Sequence, residues 1–143
     1  MKFSTIVAVA LSFLTSVLAL PQVEQEKRYG AEALTCYNAG TSTSVDILNS
    51  VIDDFCKINI DNGTSVSNGE VVQRNYDYGD VTIYLSATAL NGCSWKFDDN
   101  CGRLLRRPIS ECNEGQDSGK QGGYVTDLCA QWRTDPGSNG NML

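Results

Sequence analysis

Six cysteines, at positions 36, 56, 93, 101, 112 and 129, constrain what this chain can fold into more than any other feature. An even count in a small exported chain points to three disulfides, which fifteen pairings would satisfy. Zinc is the competing use of cysteine. It has little to work with, because there is no Cys-x-x-Cys pair and the histidine count is 0. Cross-links are therefore the expectation, with no metal and no cofactor.

The amino terminus supports export. "MKFSTIVAVALSFLTSVLALP" carries Lys2, an apolar run from about Ile6 to Leu18, and small residues Val17 and Ala19 before a cleavage point. That is the three-part pattern of a secretory signal peptide over 1–19. A membrane anchor needs roughly 20 apolar residues, and Ser12, Thr15 and Ser16 interrupt this run. Residues 20–28 are polar and end in the dibasic pair Lys27-Arg28, as a pro-segment does; the alternative is an arm that stays attached. The expected mature unit is then 29–143, one domain, secreted to the extracellular space. Asn62-Gly63-Thr64 is an N-glycosylation acceptor, as suits an exposed loop of a secreted protein.

Charge narrows the partners. The chain has 11 Lys and Arg against 17 Asp and Glu, a net charge of −6. Loss of Lys2, Lys27, Arg28, Glu24 and Glu26 makes it slightly more negative still. Such a surface repels nucleic acid and anionic membrane, so neither nucleic-acid binding nor membrane insertion is expected.

Periodicity supplies the elements. Val45, Leu48, Ile52 and Phe55 recur at steps of three and four, predicting a helix over Ser44–Lys57 with Ser44 as its cap. Asp53 and Asp54 lie near the wrong end for the helix dipole. "EVVQRNY" reads as a strand. "DVTIYLSATAL" alternates Val81, Ile83, Leu85 and Ala87 with polar residues, and the two form an antiparallel hairpin around "NYDYGD". Phe97, Cys101, Leu105, Ile109 and Cys112 share one face of a second helix, from about Asp98 to Arg107, which Pro108 kinks or restarts. If that segment stays helical, Cys101 and Cys112 are about 16 Å apart at ~1.5 Å per residue. They then pair with other cysteines. Tyr124 and Val125 read as a strand, with Ala130 and Trp132 in another or its continuation. The sum is a compact α+β unit with helix covering sheet.

Chemistry is limited by the missing histidine, which excludes Ser-His-Asp and Cys-His catalysis. The paired acids Asp98-Asp99 and Glu111/Glu114 are the nearest to a glycosidase dyad, but most such pairs are solvated, and Asp98-Asp99 also suits the first turn of the second helix. Arg103, Arg106 and Arg107 could grip an anionic glycan or simply form a solvated helix face paired with acids. The loop "CNEGQDSGKQGG" fails as a phosphate loop. Three residues rather than four separate Gly115 from Gly119, and Gln121 follows Lys120. Its polar side chains suit a sugar better. Asn113, Gln116, Asp117, Lys120 and Gln121, with Tyr124 and Trp132 nearby, offer the planar polar groups and aromatic faces that hold saccharides. The competing reading is a loop shaped by its glycines and pinned by Cys112 and Cys129, with Trp132 in the core.

With "CYNAG", "FDDNCGRLLRRPISECN" and "GKQGGYVTDLCAQWRTDP", the chain resembles the ink-cap (Y-three) glycan-binding lectin family of small secreted cysteine-rich fungal proteins. The resemblance runs from about Thr35 to Pro136. It implies a disulfide-stapled α/β/α-type sandwich with two helices and a mostly antiparallel sheet, a possible homodimer through sheet edges, and calcium-independent binding of N-acetylgalactosamine- and fucose-bearing glycans. No ligand residue transfers position by position. The expected function is a lectin-like protein that binds extracellular glycans without catalysis. The alternatives are a secreted effector or killer-toxin-like protein acting on a competitor or host cell, and a small hydrolase.

Overall fold

The computed structural model describes residues 30–115 and 117–137. The expected signal peptide, the pro-segment, Gln116 and residues 138–143 lie outside the described residues. The described chain is α+β. In order it runs β1 (Ala33–Cys36), α1 (Val45–Asp61), β2 (Ser65–Val66), β3 (Val71–Asp77), β4 (Thr82–Ala89), β5 (Trp95–Lys96), α2 (Asn100–Glu111), β6 (Gly123–Thr126) and β7 (Ala130–Pro136). Five strands form one antiparallel sheet in the order β1-β6-β7-β4-β3, and β2 pairs with β5 in a separate ribbon.

α1 starts where the sequence places it. Ser44 Oγ accepts from the Ile47 amide at 3.4 Å, satisfying one of the free amides of the first turn. The helix runs on past Lys57 to Asp61, and the Lys57 ammonium and Asp61 carboxylate pair one turn apart across that last segment. The extension makes Asp53 and Asp54 mid-helix residues with tertiary partners. Asp53 accepts from Arg106 of α2, and Asp54 accepts from the Tyr76 hydroxyl at 2.8 Å.

α2 corrects the kink expected at Pro108, because the helix continues through it to Glu111. A proline removes one backbone donor and crowds the preceding turn. Here Ser110 Oγ donates to the carbonyls of Arg106 and Arg107, at 3.2 and 3.3 Å, while the buried proline ring packs into the core. Asp98 Oδ1 accepts the Asn100 amide at 2.9 Å at the other end. It thereby takes the capping role that the side chain of Asp99 leaves open.

Register decides which side of the sheet is covered. Ile83, Leu85, Ala87 and Ala89 of β4 lie opposite Pro136, Thr134, Trp132 and Ala130 of β7. This side meets both helices: Thr134 Oγ1 donates to the Leu105 carbonyl of α2 at 2.7 Å, and Tyr76 of β3 reaches α1. The ribbon packs there too, bringing the rings of Trp95, Phe97, Phe55 and Trp132 into one cluster with neighbouring centroids 4.9–5.8 Å apart. The molecule therefore has two layers, helix on sheet. Both helices contribute to the one core cluster that covers this side of the sheet, as the expected α+β unit with two helices and a mostly antiparallel sheet requires.

The six cysteines form three disulfides, Cys36–Cys112, Cys56–Cys101 and Cys93–Cys129. Cys101 and Cys112 take different partners, as the helical spacing requires. One bond ties the helices to each other, one ties the end of α2 to β1, and one ties the β4–β5 connection to the β6–β7 hairpin. No helix among the described residues is long and apolar enough to cross a membrane.

Candidate functional site

The sheet face away from the helices follows from the same alternation. The pairing aligns Thr35, Tyr124, Arg133, Ser86 and Gln73 in one row across five strands. Asp135, Tyr84 and Asn75 form the next row. Tyr37 follows β1 directly, and its amide donates to the Gly122 carbonyl at 3.1 Å, which continues the strand pairing and brings its ring beside Tyr124. The two ring centroids are 6.2 Å apart with planes inclined at 56°. The Arg133 guanidinium lies 5.8 Å from the Tyr37 centroid and 5.9 Å from that of Tyr124. Tyr84 donates its hydroxyl to Gln73 Oε1 at 2.5 Å.

The middle of this face is tightly filled although no helix covers it. Arg133 is 9 % exposed and Asp135 0 %. The β1–α1 connection contributes at that end, where Thr41 lies against Gly137 at the close of β7. Burial pushes the Tyr37 phenol above its ordinary range, with Arg133 opposing the shift and Asp135 adding to it. Three half-buried tyrosines thus lie beside a buried guanidinium and a buried carboxylate on this side of the sheet, rimmed by the exposed hydroxyl and amides of Thr35, Gln73 and Asn75. Such a surface offers ordered donors and acceptors beside aromatic rings, the combination that binds polyhydroxylated ligands.

The seven residues expected to contact a ligand divide among separate places. Among the described ones, Tyr124 alone lies on this face. Trp132 points to the opposite side, 4 % exposed, with its ring centroid 4.9 Å from that of Trp95 and the planes tilted by 32°. Lys120 is 5 % exposed, and its ammonium donates to the carbonyls of Cys112 and Asn113 at 3.1 and 2.9 Å. It closes the carboxyl end of α2, where carbonyls lack helical partners. Asn113 and Gln121 bond to each other twice, both contacts at 3.3 Å. Asp117 is exposed, and its carbonyl accepts the Val45 amide at 3.0 Å. Gln116 lies outside the described residues. The close-set glycines serve packing, since a Cβ on Gly122 would stand 2.1 Å from the Thr134 carbonyl oxygen.

The three arginines of α2 are each engaged with an acid. Arg103 and Arg107 both donate to Glu32, at 2.7–3.0 Å, and Arg107 also grips Glu111 at 2.6 and 2.9 Å. Glu111 is held below the usual carboxylate range by Arg107. Asn62, the expected glycosylation site, is exposed at the end of α1.

The residues that sequence reasoning missed are Tyr37, Gln73, Tyr84, Arg133 and Asp135. Their signal was present as the polar half of each alternation, in Tyr84-x-Ser86-x-Thr88 and Gln131-x-Arg133-x-Asp135. Only the strand order brings those halves together. No protein-family model matches the chain, and no curated protein matches it.

Proposed function

We propose that this is a secreted lectin-like protein that binds extracellular glycan on the helix-free face of its sheet and does not transform it. The observation that carries the reading is the row Tyr124–Arg133–Ser86–Gln73 with Tyr37 and Tyr84 beside it. Saccharides are held by fixed planar polar groups and by aromatic rings that meet their C–H faces, and this surface has both on rigid strands. β1 and β3 are the edges of the sheet, so in this reading a second copy joining at an edge extends the same binding face.

A glycan array with the mature chain tests the proposal. Binding to a defined set of glycans is expected, with loss of at least tenfold in affinity for Tyr124→Ala and Tyr37→Ala. Flat signals across the array, or binding that ignores both substitutions, would count against it. Growth inhibition of competing cells with a flat array would favour the effector reading instead.

A further inference from the structure

The groove between the two helices carries a chemistry unlike that of the sheet face. Its cavity of about 540 Å³ is within the size range that small-molecule ligands fill. Val45 of α1 and Ile109 of α2 supply apolar walls, while Asn49 and Asp117 add an amide and a carboxylate to the lining. Two cations, Arg106 and Lys120, also line it.

Both cations are fixed before any ligand arrives. Arg106 donates from Nε to Asn49 Oδ1 at 3.0 Å and from Nη2 to Asp53 Oδ1 at 2.5 Å. Gly102 gives it room to lie flat, since a Cβ there would be 2.7 Å from Nη1. Lys120 is anchored by its two bonds to the end of α2. Ordered side chains give up little further freedom on binding. The chain as a whole is at −6, whereas here Arg106 is balanced by Asp53 and Lys120 faces the same cavity as Asp117, so the groove is locally close to neutral. Long-range repulsion disfavours polyanions, while one anionic group is accepted locally.

We propose that this groove binds a single sugar acid, a hexuronate or a sialate, at the end of a glycan. Its carboxylate lies between Arg106 and Lys120, its hydroxyls meet Asp117 and Asn49, and its C–H face rests on Val45 and Ile109. A sugar acid combines the three features that the lining asks for: one negative charge, several hydroxyls and an apolar face. Guanidinium and ammonium groups bind carboxylate by charge-assisted hydrogen bonds. The groove is built from the helix layer and the glycine loop, so the inference stands apart from the reading of the sheet face.

Amide-detected NMR titration of the mature chain tests it, with glucuronate, N-acetylneuraminate, sialyllactose and glucose as probes. The acids and sialyllactose are expected to shift the amides of Asn49, Ser110 and Asp117, and glucose is expected to leave them in place. Arg106→Gln is expected to weaken binding at least tenfold. Ser110→Trp, an exposed substitution at the groove wall, is expected to abolish it, and Tyr124→Ala to leave it unchanged. Glucose binding as well as glucuronate, or wild-type affinity in both groove variants, overturns the proposal. Binding confined to the free monosaccharides overturns the glycan end as the source. Where a variant does not fold, the comparison of glucuronate with glucose on the wild-type chain is sufficient to uphold or overturn it.

Discussion

Tyr124 and Trp132 lie on neighbouring strands and point to opposite sides of the sheet: Tyr124 pairs with Arg133, whereas Trp132 pairs with Val125. The two aromatic residues near the glycine loop therefore belong to different parts of the molecule. Trp132→Ala removes a buried ring from a four-membered aromatic cluster and is expected to cost about 3–5 kcal/mol. Tyr124→Ala acts on a half-buried ring at the surface and is expected to cost about 1 kcal/mol, since surface changes destabilise far less. Urea unfolding followed by far-UV dichroism measures both. Equal losses would contradict the placement of the rings.

Accessible sulfur is expected to govern the order of reduction. Cys101 and Cys112 are buried to within 2 % of full coverage and Cys56 to within 6 %, whereas both members of Cys93–Cys129 are partly exposed. Exchange requires an attacking thiolate to reach a sulfur atom. Stepwise reduction with mass mapping is expected to open Cys93–Cys129 first, leaving the helices joined. Replacing Cys56 and Cys101 with Ala is expected to cost about 3–5 kcal/mol, because that cross-link closes a long loop in the unfolded chain.

Acid stability should depend on Glu32. Hydrogen bonds from Arg103, then its charge and that of Arg107, hold the Glu32 carboxyl below its ordinary 4.5 against the opposing effect of burial. A depressed folded value means that the stabilisation is present above about pH 4.5 and is lost as pH falls through the folded value. Glu32→Gln is expected to lower stability by about 1–2 kcal/mol at neutral pH, with the gap to wild type closing as pH falls below about 4.5 and through the folded value. Asp127 has the opposite sign. Burial raises its carboxyl above 3.8 although the amides of Cys129 and Ala130 donate to it. Its contribution is present at low pH and lost as pH rises through the raised folded value, so Asp127→Asn gains on wild type as pH rises above about 3.8. Denaturant melts across pH separate the two curves.

Gly122 is expected to be intolerant of a side chain. Its φ is +78°, and an added Cβ would meet the Thr134 carbonyl oxygen and the Pro136 ring at 2.1 and 2.9 Å. Gly122→Ala is expected to cost about 3 kcal/mol or more through crowding and backbone strain. Gly115→Ala has open space around its Cβ and only the backbone penalty, about 1 kcal/mol. Thermal melts compare the two directly.

Much of this architecture was legible because it rests on local rules. Ser44 before an apolar repeat at steps of three and four announces α1, and the alternation from Val81 to Ala87 announces β4. The even cysteine count announces the cross-links. Two kinds of information were not local. Strands β1, β2 and β5 are each four residues or fewer, too short for a period to register, and they exist because a neighbouring strand completes their hydrogen bonding. The helix-free face is assembled from the polar halves of strands that lie far apart in sequence, so its composition depends on strand order. Proximity in sequence suggested Trp132 and Lys120 as ligand contacts. Burial assigns one to the aromatic cluster and the other to the end of α2.

All three sulfur bridges, both helices and the aromatic cluster stabilise the sheet from one flank or around its rim. Side chains on the outer surface at Thr35, Gln73, Asn75 and Thr88 can therefore be exchanged without disturbing what keeps the strands in place. A molecule built this way separates the residues that determine its shape from a polar surface whose composition the fold leaves open. One surface can change its chemistry while the other remains as it is.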